Sequence, residues 1–314
     1  MGDRMYFDYA TDSHLRLLLR LDRGQAVRRA IQRVVKPGHR VFDAGTGTGL
    51  LSFMALQCGA SEVVAVDNAN LPIATALAEE NKFSSKIKFI EADLFDIEVP
   101  EVTGKFDVVL GFMYMNNILL DETRAEVVYK LAKRYGASDV KIIPNGIRYS
   151  AQLVEYPVQD IVTYESDLNA AGILLESTYG FKFESLIKKA KEEIPVQIAC
   201  PTYHGHYSWQ PGQASASARF ERGSFRSLSR PTAFYTCGLD SLEAPFSRMP
   251  QTASLSTAQS GKADGVIWQQ ELIYDDIVIW TTETFSPFRT PRIVTAGETM
   301  TLDLGEQWKS SKYL

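Results

Sequence analysis

Cysteine is scarce in this chain: Cys58, Cys200 and Cys237 are its only three among 314 residues, far apart and odd in number. That excludes a disulfide framework and a thiolate metal cluster, and it suits a reducing compartment. Histidine is limited to four. The pair His204-x-His206 has no third ligand in sequence reach, so no metal centre is expected. There is no basic excess, because 33 Lys and Arg face 38 Asp and Glu for a net charge of −5. Neither a nucleic acid nor an anionic membrane is an expected partner. No uncharged apolar run is long enough to span a bilayer, and no basic-apolar leader opens the chain, so a cytoplasmic location is expected. What the chain does have is 45% hydrophobic residues over a length that exceeds one ordinary core, which predicts two domains.

The most informative stretch is Val41-Phe42-Asp43-Ala44-Gly45-Thr46-Gly47-Thr48-Gly49-Leu50. It reads as a short apolar strand, an acid, three alternating glycines and the start of a helix. A second apolar strand, Glu62 to Val66, ends on Asp67, with Asn68 after it. Glycines let backbone approach a ligand without a Cβ clash, and a helix start offers free N–H groups. An acid about 20 residues on can take a ribose hydroxyl pair. A dinucleotide fingerprint would need glycine at position 50, which is Leu50. The G-x-G-x-G spacing behind an acid resembles motif I of the class I S-adenosylmethionine (SAM) methyltransferases, which implies SAM as cofactor.

The two halves follow different patterns. Leu15 to Val35 has helical spacing and is stopped by Pro37-Gly38; strand 41–44, helix 49–57, strand 62–66, helix 72–81, strand 87–91 and strand 106–110 follow. This β-α-β order predicts a parallel α/β sheet of Rossmann-like type. The pattern ends at Ile142-Ile143-Pro144-Asn145, which sets domains of 1–145 and 146–314. The second half reads as all-β, with a helical insertion at 168–193 and Ser/Thr/Ala/Gln-rich separators at 213–218 and 251–262. Ile267 to Thr284 reads as two β segments and Glu298 to Leu304 as another.

Further residues resemble the protein arginine methyltransferases over nearly the full length. They are Tyr6-Phe7-Asp8, Ser13-His14, Asp22-Arg23, Val41 to Ala60, Ile143-Pro144-Asn145 with Tyr149, and Tyr179-Gly180-Phe181. The resemblance implies a Rossmann-like SAM domain followed by a β-barrel-like domain, with 168–193 as a dimerisation arm and a homodimer as the assembly. It implies cofactor roles for Arg23 on the SAM carboxylate, for Asp43, Gly45, Gly47, Gly49 and Leu50 in the loop, and for Asp67 and Asn68 at the ribose. Asp93 and Leu94 would meet the adenine, though Asp93 serves equally as a loop cap. Tyr9 and His14 would lie near the reacting methyl.

The chain also departs from that family. Arginine methyltransferases hold their substrate with two glutamates after the fourth strand, because a guanidinium stays protonated. Here the first of those positions is Phe112, and a carboxylate remains only at Asp121 or Glu122; Ile267 stands where the family has a histidine. Phe112, Met113, Tyr114, Asn116 and Asn117 suit a flat apolar ligand oriented by amides, with Asp121 or Glu122 as base. The expected substrate is therefore a small aromatic metabolite, methylated at C3 of an indole in specialised metabolism. Two alternatives are a guanidino or arginine N-methyltransferase and a catalytically silent SAM-binding partner subunit. Asp121 and Glu122 also suit a helix start, and Phe112 to Met115 suit a core.

Overall fold

The computed structural model describes residues 11–69, 71–114, 121–155, 169–170, 172–188, 225–241 and 243–304. Tyr9, Asn116, Asn117 and the His204-x-His206 pair lie outside them, as do the side chains of Asp121 and Glu122. Five strands rich in Val, Ile, Phe and Leu form the first sheet; the central three are buried at successive positions, as parallel strands covered on both faces must be, and the two outer ones are part-exposed. These are β1 (Arg40–Ala44), β2 (Glu62–Asp67), β3 (Ile87–Glu91), β4 (Phe106–Gly111) and β5 (Gly136–Ile143). They pair in parallel in the order β3-β2-β1-β4-β5. The chain order reverses beside β1, and ligands bind such sheets beyond the strand ends at that switch point.

Helices α1 (Thr11–Leu18), α2 (Leu21–Val34), α3 (Leu50–Gln57), α4 (Leu71–Glu80) and α5 (Asp121–Tyr135) accompany the sheet. The single helix expected over 15–35 is broken at Arg20, whose backbone leaves the helical region at φ −78° and ψ 76°. Apolar residues on the two sides of the break serve different faces. Leu15, Leu19 and Leu21 are exposed, whereas Ala26, Val27, Ala30, Ile31 and Val34 are buried in one stripe of α2. One straight helix could not present both. Strand β5 lay hidden in the sequence because it is an edge strand, with Ser138, Asp139 and Lys141 exposed.

Pro144 follows β5 through a cis Ile143–Pro144 bond. The second sheet is antiparallel, with order β11-β10-β6-β7, built from β6 (Gly146–Glu155), β7 (Arg226–Ser227), β10 (Gly261–Tyr274) and β11 (Ile277–Val294). Strand β8 (Thr232–Gly238) also pairs with β6, and β9 (Thr252–Ser256) pairs with β12 (Thr299–Asp303). The Ser/Thr-rich stretch expected as a separator thus contains β9. Its Thr252, Ser254 and Ser256 are exposed while Ala253 and Leu255 are buried, so the alternation is carried by only two residues. Residues 172–179 and 184–188 are helical; Ile173, Leu174, Tyr179 and Leu186 in them and Phe181 between them are exposed. The architecture is a Rossmann-like parallel-sheet domain followed by an antiparallel β domain whose described strands do not close into a ring.

Helix α2 joins the two. Its Arg33 pairs with Asp276 in the β10–β11 turn, and its start lies against Trp280 of β11. At the junction, Asn145 Nδ2 donates to Asp275 Oδ1 at 2.8 Å, and the Asp275 N–H donates back to Asn145 Oδ1 at 3.0 Å.

Candidate cofactor site

The glycine loop begins where β1 ends. Gly45, Gly47 and Gly49 have φ of +80°, +54° and +82°, a region that side-chain-bearing residues avoid. The N–H groups of Gly45 and Thr46 donate to the Val66 carbonyl at 2.9 and 3.2 Å, which ties the loop to β2. Each glycine also lies under a side chain. A Cβ on Gly45 would sit 3.0 Å from Met113 Cγ, one on Gly47 3.0 Å from His14 Cε1, and one on Gly49 3.0 Å from Phe53 Cζ. The loop is thus a cradle that only bare backbone can line.

Two carboxylates frame it. Asp43 is fully buried, and its Oδ2 accepts from Thr46 Oγ1 at 2.8 Å and Ser52 Oγ at 2.6 Å. Its Oδ1 has no partner among the described residues. Burial pushes the Asp43 carboxyl up to about 6, with the two hydroxyls pulling the other way. Asp67 Oδ2 accepts from the Gly47 N–H at 2.7 Å and Oδ1 from the Ala69 N–H at 3.2 Å. Burial raises this carboxyl too, against the backbone donors that favour its charged form. A glycine cradle, an acid at the end of β2 and a buried oxygen with acceptor capacity to spare fit an adenosyl amino acid such as SAM.

The remaining expected cofactor residues differ in placement. Leu50 starts α3 and is half-buried, and Asn68 is exposed just beyond β2. Asp93 Oδ1 accepts from the Phe95 N–H at 2.9 Å, so this side chain caps a 3-10 turn; Leu94 is buried. The Arg23 guanidinium lies 5.5 Å from the Phe112 ring centroid and 5.8 Å from that of Trp280. His14 stands over Gly47 and adds a favourable charge interaction to Asp67.

Phe112, Met113 and Tyr114 do not form an open stacking surface. Phe112 and Met113 pack on the core, Tyr114 is buried, and the Met113 carbonyl accepts from Arg124 Nη1 at 3.0 Å. Asp121 and Glu122 open α5. Ile267 is buried in mid-strand, paired with both β6 and β11. Thr46 and Ser52 hold Asp43, and Trp280 meets both Arg20 and Arg23, though none of these contacts stood out in the sequence. The two hydroxyls follow Asp43 by three and nine residues, a weak signal, whereas nothing in the alternation of β11 points Trp280 at α2.

The family model for ribosomal protein L11 methyltransferase (PrmA) matches residues 25–172. The chain is 28% identical over 213 residues to ribosomal protein arginine N-methyltransferase rmt3 of Schizosaccharomyces pombe, covering 64% of this chain and 36% of that protein. It is 31% identical over 171 residues to histone-arginine methyltransferase CARMER of Drosophila persimilis, covering 52% and 29%. The chain therefore spans about a third of the length of these curated relatives. Among solved structures, the Trypanosoma brucei PRMT1 enzyme-prozyme heterotetrameric complex with AdoHcy matches with a TM-score of 0.64 at 18% identity, covering 92% of this chain and 85% of that one. Arabidopsis thaliana protein arginine methyltransferase 10 matches with a TM-score of 0.59, also at 18% identity, covering 94% and 85%.

These relatives overturn the expected indole C-methylation and the small aromatic partner, since they are named for arginine, ribosomal proteins and histones. The physical reason is in the site: the aromatic and thioether side chains assigned to an indole are taken up in packing and in contact with Arg23. The comparisons do not support a homodimer for this chain; the T. brucei neighbour is a heterotetrameric complex of enzyme and prozyme. Among the described residues no helix is long and apolar enough to cross a membrane. In motif, fold and relatives, the chain is similar to the class I SAM-dependent methyltransferases of the PrmA and protein arginine methyltransferase-like kind.

Proposed function

We propose that this chain N-methylates arginine side chains in protein substrates, using SAM. The observation that carries the reading is its similarity, over 64% of the chain, to a protein named as an arginine N-methyltransferase. Bound SAM supplies an electrophilic methyl group on a sulfonium, so the protein's task is positioning and exclusion of water. Gly45, Gly47 and Gly49 would admit the cofactor's backbone-proximal part, Asp67 and Asn68 its ribose, Asp93 and Leu94 its adenine, and Arg23 its carboxylate. His14 and Tyr9 would cover the cradle. Asp121 or Glu122, at the start of α5, would accept N–H bonds from the substrate guanidinium and leave one nitrogen directed at the methyl. With Phe112 at the other position, one carboxylate side holds the guanidinium, which predicts weaker substrate binding than a double clamp gives.

In the same reading the chain divides at 145/146, with the cofactor on the first domain and the 168–193 arm on the second. The cytoplasm suits Cys58 and Cys237, which form no disulfide among the described residues. The test is methyl transfer from labelled SAM to an arginine- and glycine-rich peptide, beside the same peptide with every arginine changed to lysine. Mass spectrometry should find the methyl on guanidino nitrogen in the first peptide alone. If S-adenosylhomocysteine binds firmly but neither that peptide nor arginine-rich proteins such as histones acquire label, the arginine reading fails.

A further inference from the structure

Arg23 is gripped from two domains. One face of its surroundings is Phe112, at the exit of β4, and the other is Trp280, in β11 of the antiparallel sheet, with ring centroids 5.5 and 5.8 Å from the guanidinium carbon. Both lie within the roughly 6 Å over which a cation is held by an aromatic face, and tryptophan holds best. The Trp280 ring is itself fixed: it is buried, and its Nε1 donates to Thr282 Oγ1 at 2.9 Å. Of its two cation contacts the tighter is with Arg20, at 4.4 Å, on the residue where the helix breaks. One indole thus anchors the start of α2 at two points, Arg20 and Arg23.

The grip reaches the cradle through one further residue. Phe112 adjoins Met113, whose Cγ covers Gly45. A guanidinium held in this way keeps its plane and distance from the loop, so less conformational freedom is lost when it meets a carboxylate. We infer that Trp280 is a positioning residue for cofactor binding, acting from the second domain through Arg23 on the carboxylate of the cofactor's amino acid end. This rests on the reading of Arg23 given above.

The test compares two ligands in titration calorimetry. S-adenosylhomocysteine has the amino acid carboxylate, and 5′-methylthioadenosine has the same adenosine and sulfur without it. The wild-type protein should prefer the first. Trp280→Leu should weaken S-adenosylhomocysteine about three- to thirtyfold while changing 5′-methylthioadenosine less than about twofold. Trp280→Phe, which keeps an aromatic face, should recover much of the loss. Phe112→Leu gives an independent approach from the first domain, should Trp280→Leu fail to fold, and should narrow the same preference. Equal loss for both ligands would make Trp280 a structural residue and overturn the inference, as would no loss for either. If the wild type does not distinguish the ligands, or Arg23→Ala leaves the preference intact, the assignment of Arg23 itself is wrong and the inference goes with it.

Discussion

The Gly47 N–H donates to Asp67 Oδ2 at 2.7 Å, so the middle glycine of the loop is tied to the residue that ends β2. A carboxylate accepting from backbone N–H makes one of the stronger protein hydrogen bonds, about 1.5–3 kcal/mol. Asp67→Ala should release the loop and remove the proposed ribose acceptor together, lowering affinity for S-adenosylhomocysteine at least tenfold by calorimetry. Asp67→Asn keeps an acceptor oxygen and should fall between. Wild-type affinity in the alanine variant would remove Asp67 from the site.

Asp43 predicts a pH dependence of stability. Unfolded, its carboxyl titrates near the ordinary 3.8; folded, burial moves it to about 6. Below pH 3.8 both states carry the proton and the group has no effect. Between 3.8 and about 6 the unfolded chain ionises first, so the folded state loses up to about 3 kcal/mol as pH rises, and the loss is complete above that window. Asp43→Asn should therefore gain on the wild type from pH 4 to 6 and hold a constant offset beyond. Urea unfolding at pH 4, 5, 6 and 7.5 checks this; parallel profiles would mean the carboxyl is not shifted.

Gly111 ends β4 under Val128 of α5, and a Cβ there would lie 2.5 Å from Val128 Cγ1. Gly111→Ala should destabilise by about 1–3 kcal/mol through overpacking and displace the helix that Asp121 and Glu122 begin. Val128→Ala in the same chain should recover most of that cost. Thermal unfolding of the single and double variants measures the coupling, and additive effects would show that the two residues do not meet.

Tyr135 holds the loop before β4. Its hydroxyl accepts from the Val99 N–H at 2.7 Å and lies 3.2 Å from the Ile97 carbonyl, to which it donates. Tyr135→Phe leaves a buried backbone donor without this partner and should cost about 1–3 kcal/mol, read from the urea midpoint. A cost near zero would mean that water replaces the hydroxyl.

The parallel half was legible because its signals are local. The Asp43 to Leu50 run encodes a strand, a turn that requires positive φ and a helix start within ten residues, and all three are where the glycine spacing puts them. The side chains over that loop were not legible. Met113 and His14 meet Gly45 and Gly47 only through tertiary packing, whereas Phe53 reaches Gly49 from one turn along α3; Met113 and Phe112 read in sequence as free aromatic and thioether surface. Asp93 shows the same limit at one residue, since a ligand acceptor and a turn cap leave identical traces in the chain, and the hydrogen bond to the Phe95 N–H shows the cap. Strand β9 was missed because serine and threonine on its exposed side hid an alternation carried by Ala253 and Leu255. Trp280 is the clearest case, a residue whose contact with Arg20 depends on how two sheets are set against one helix.

Helix α2 precedes the parallel sheet in the chain but is fastened to the antiparallel one at both ends, by Arg20 and Arg23 at Trp280 and by Arg33 at Asp276. The Asp275 side of the same turn holds Asn145 at the junction. A chimaera that grafts residues 1–145 onto a relative's β domain would leave these three arginines facing whatever the new hairpin presents. The exchangeable unit is therefore not a contiguous half of the chain. It is the β10–β11 hairpin together with α2, and a graft that moves one without the other separates a lock from its key.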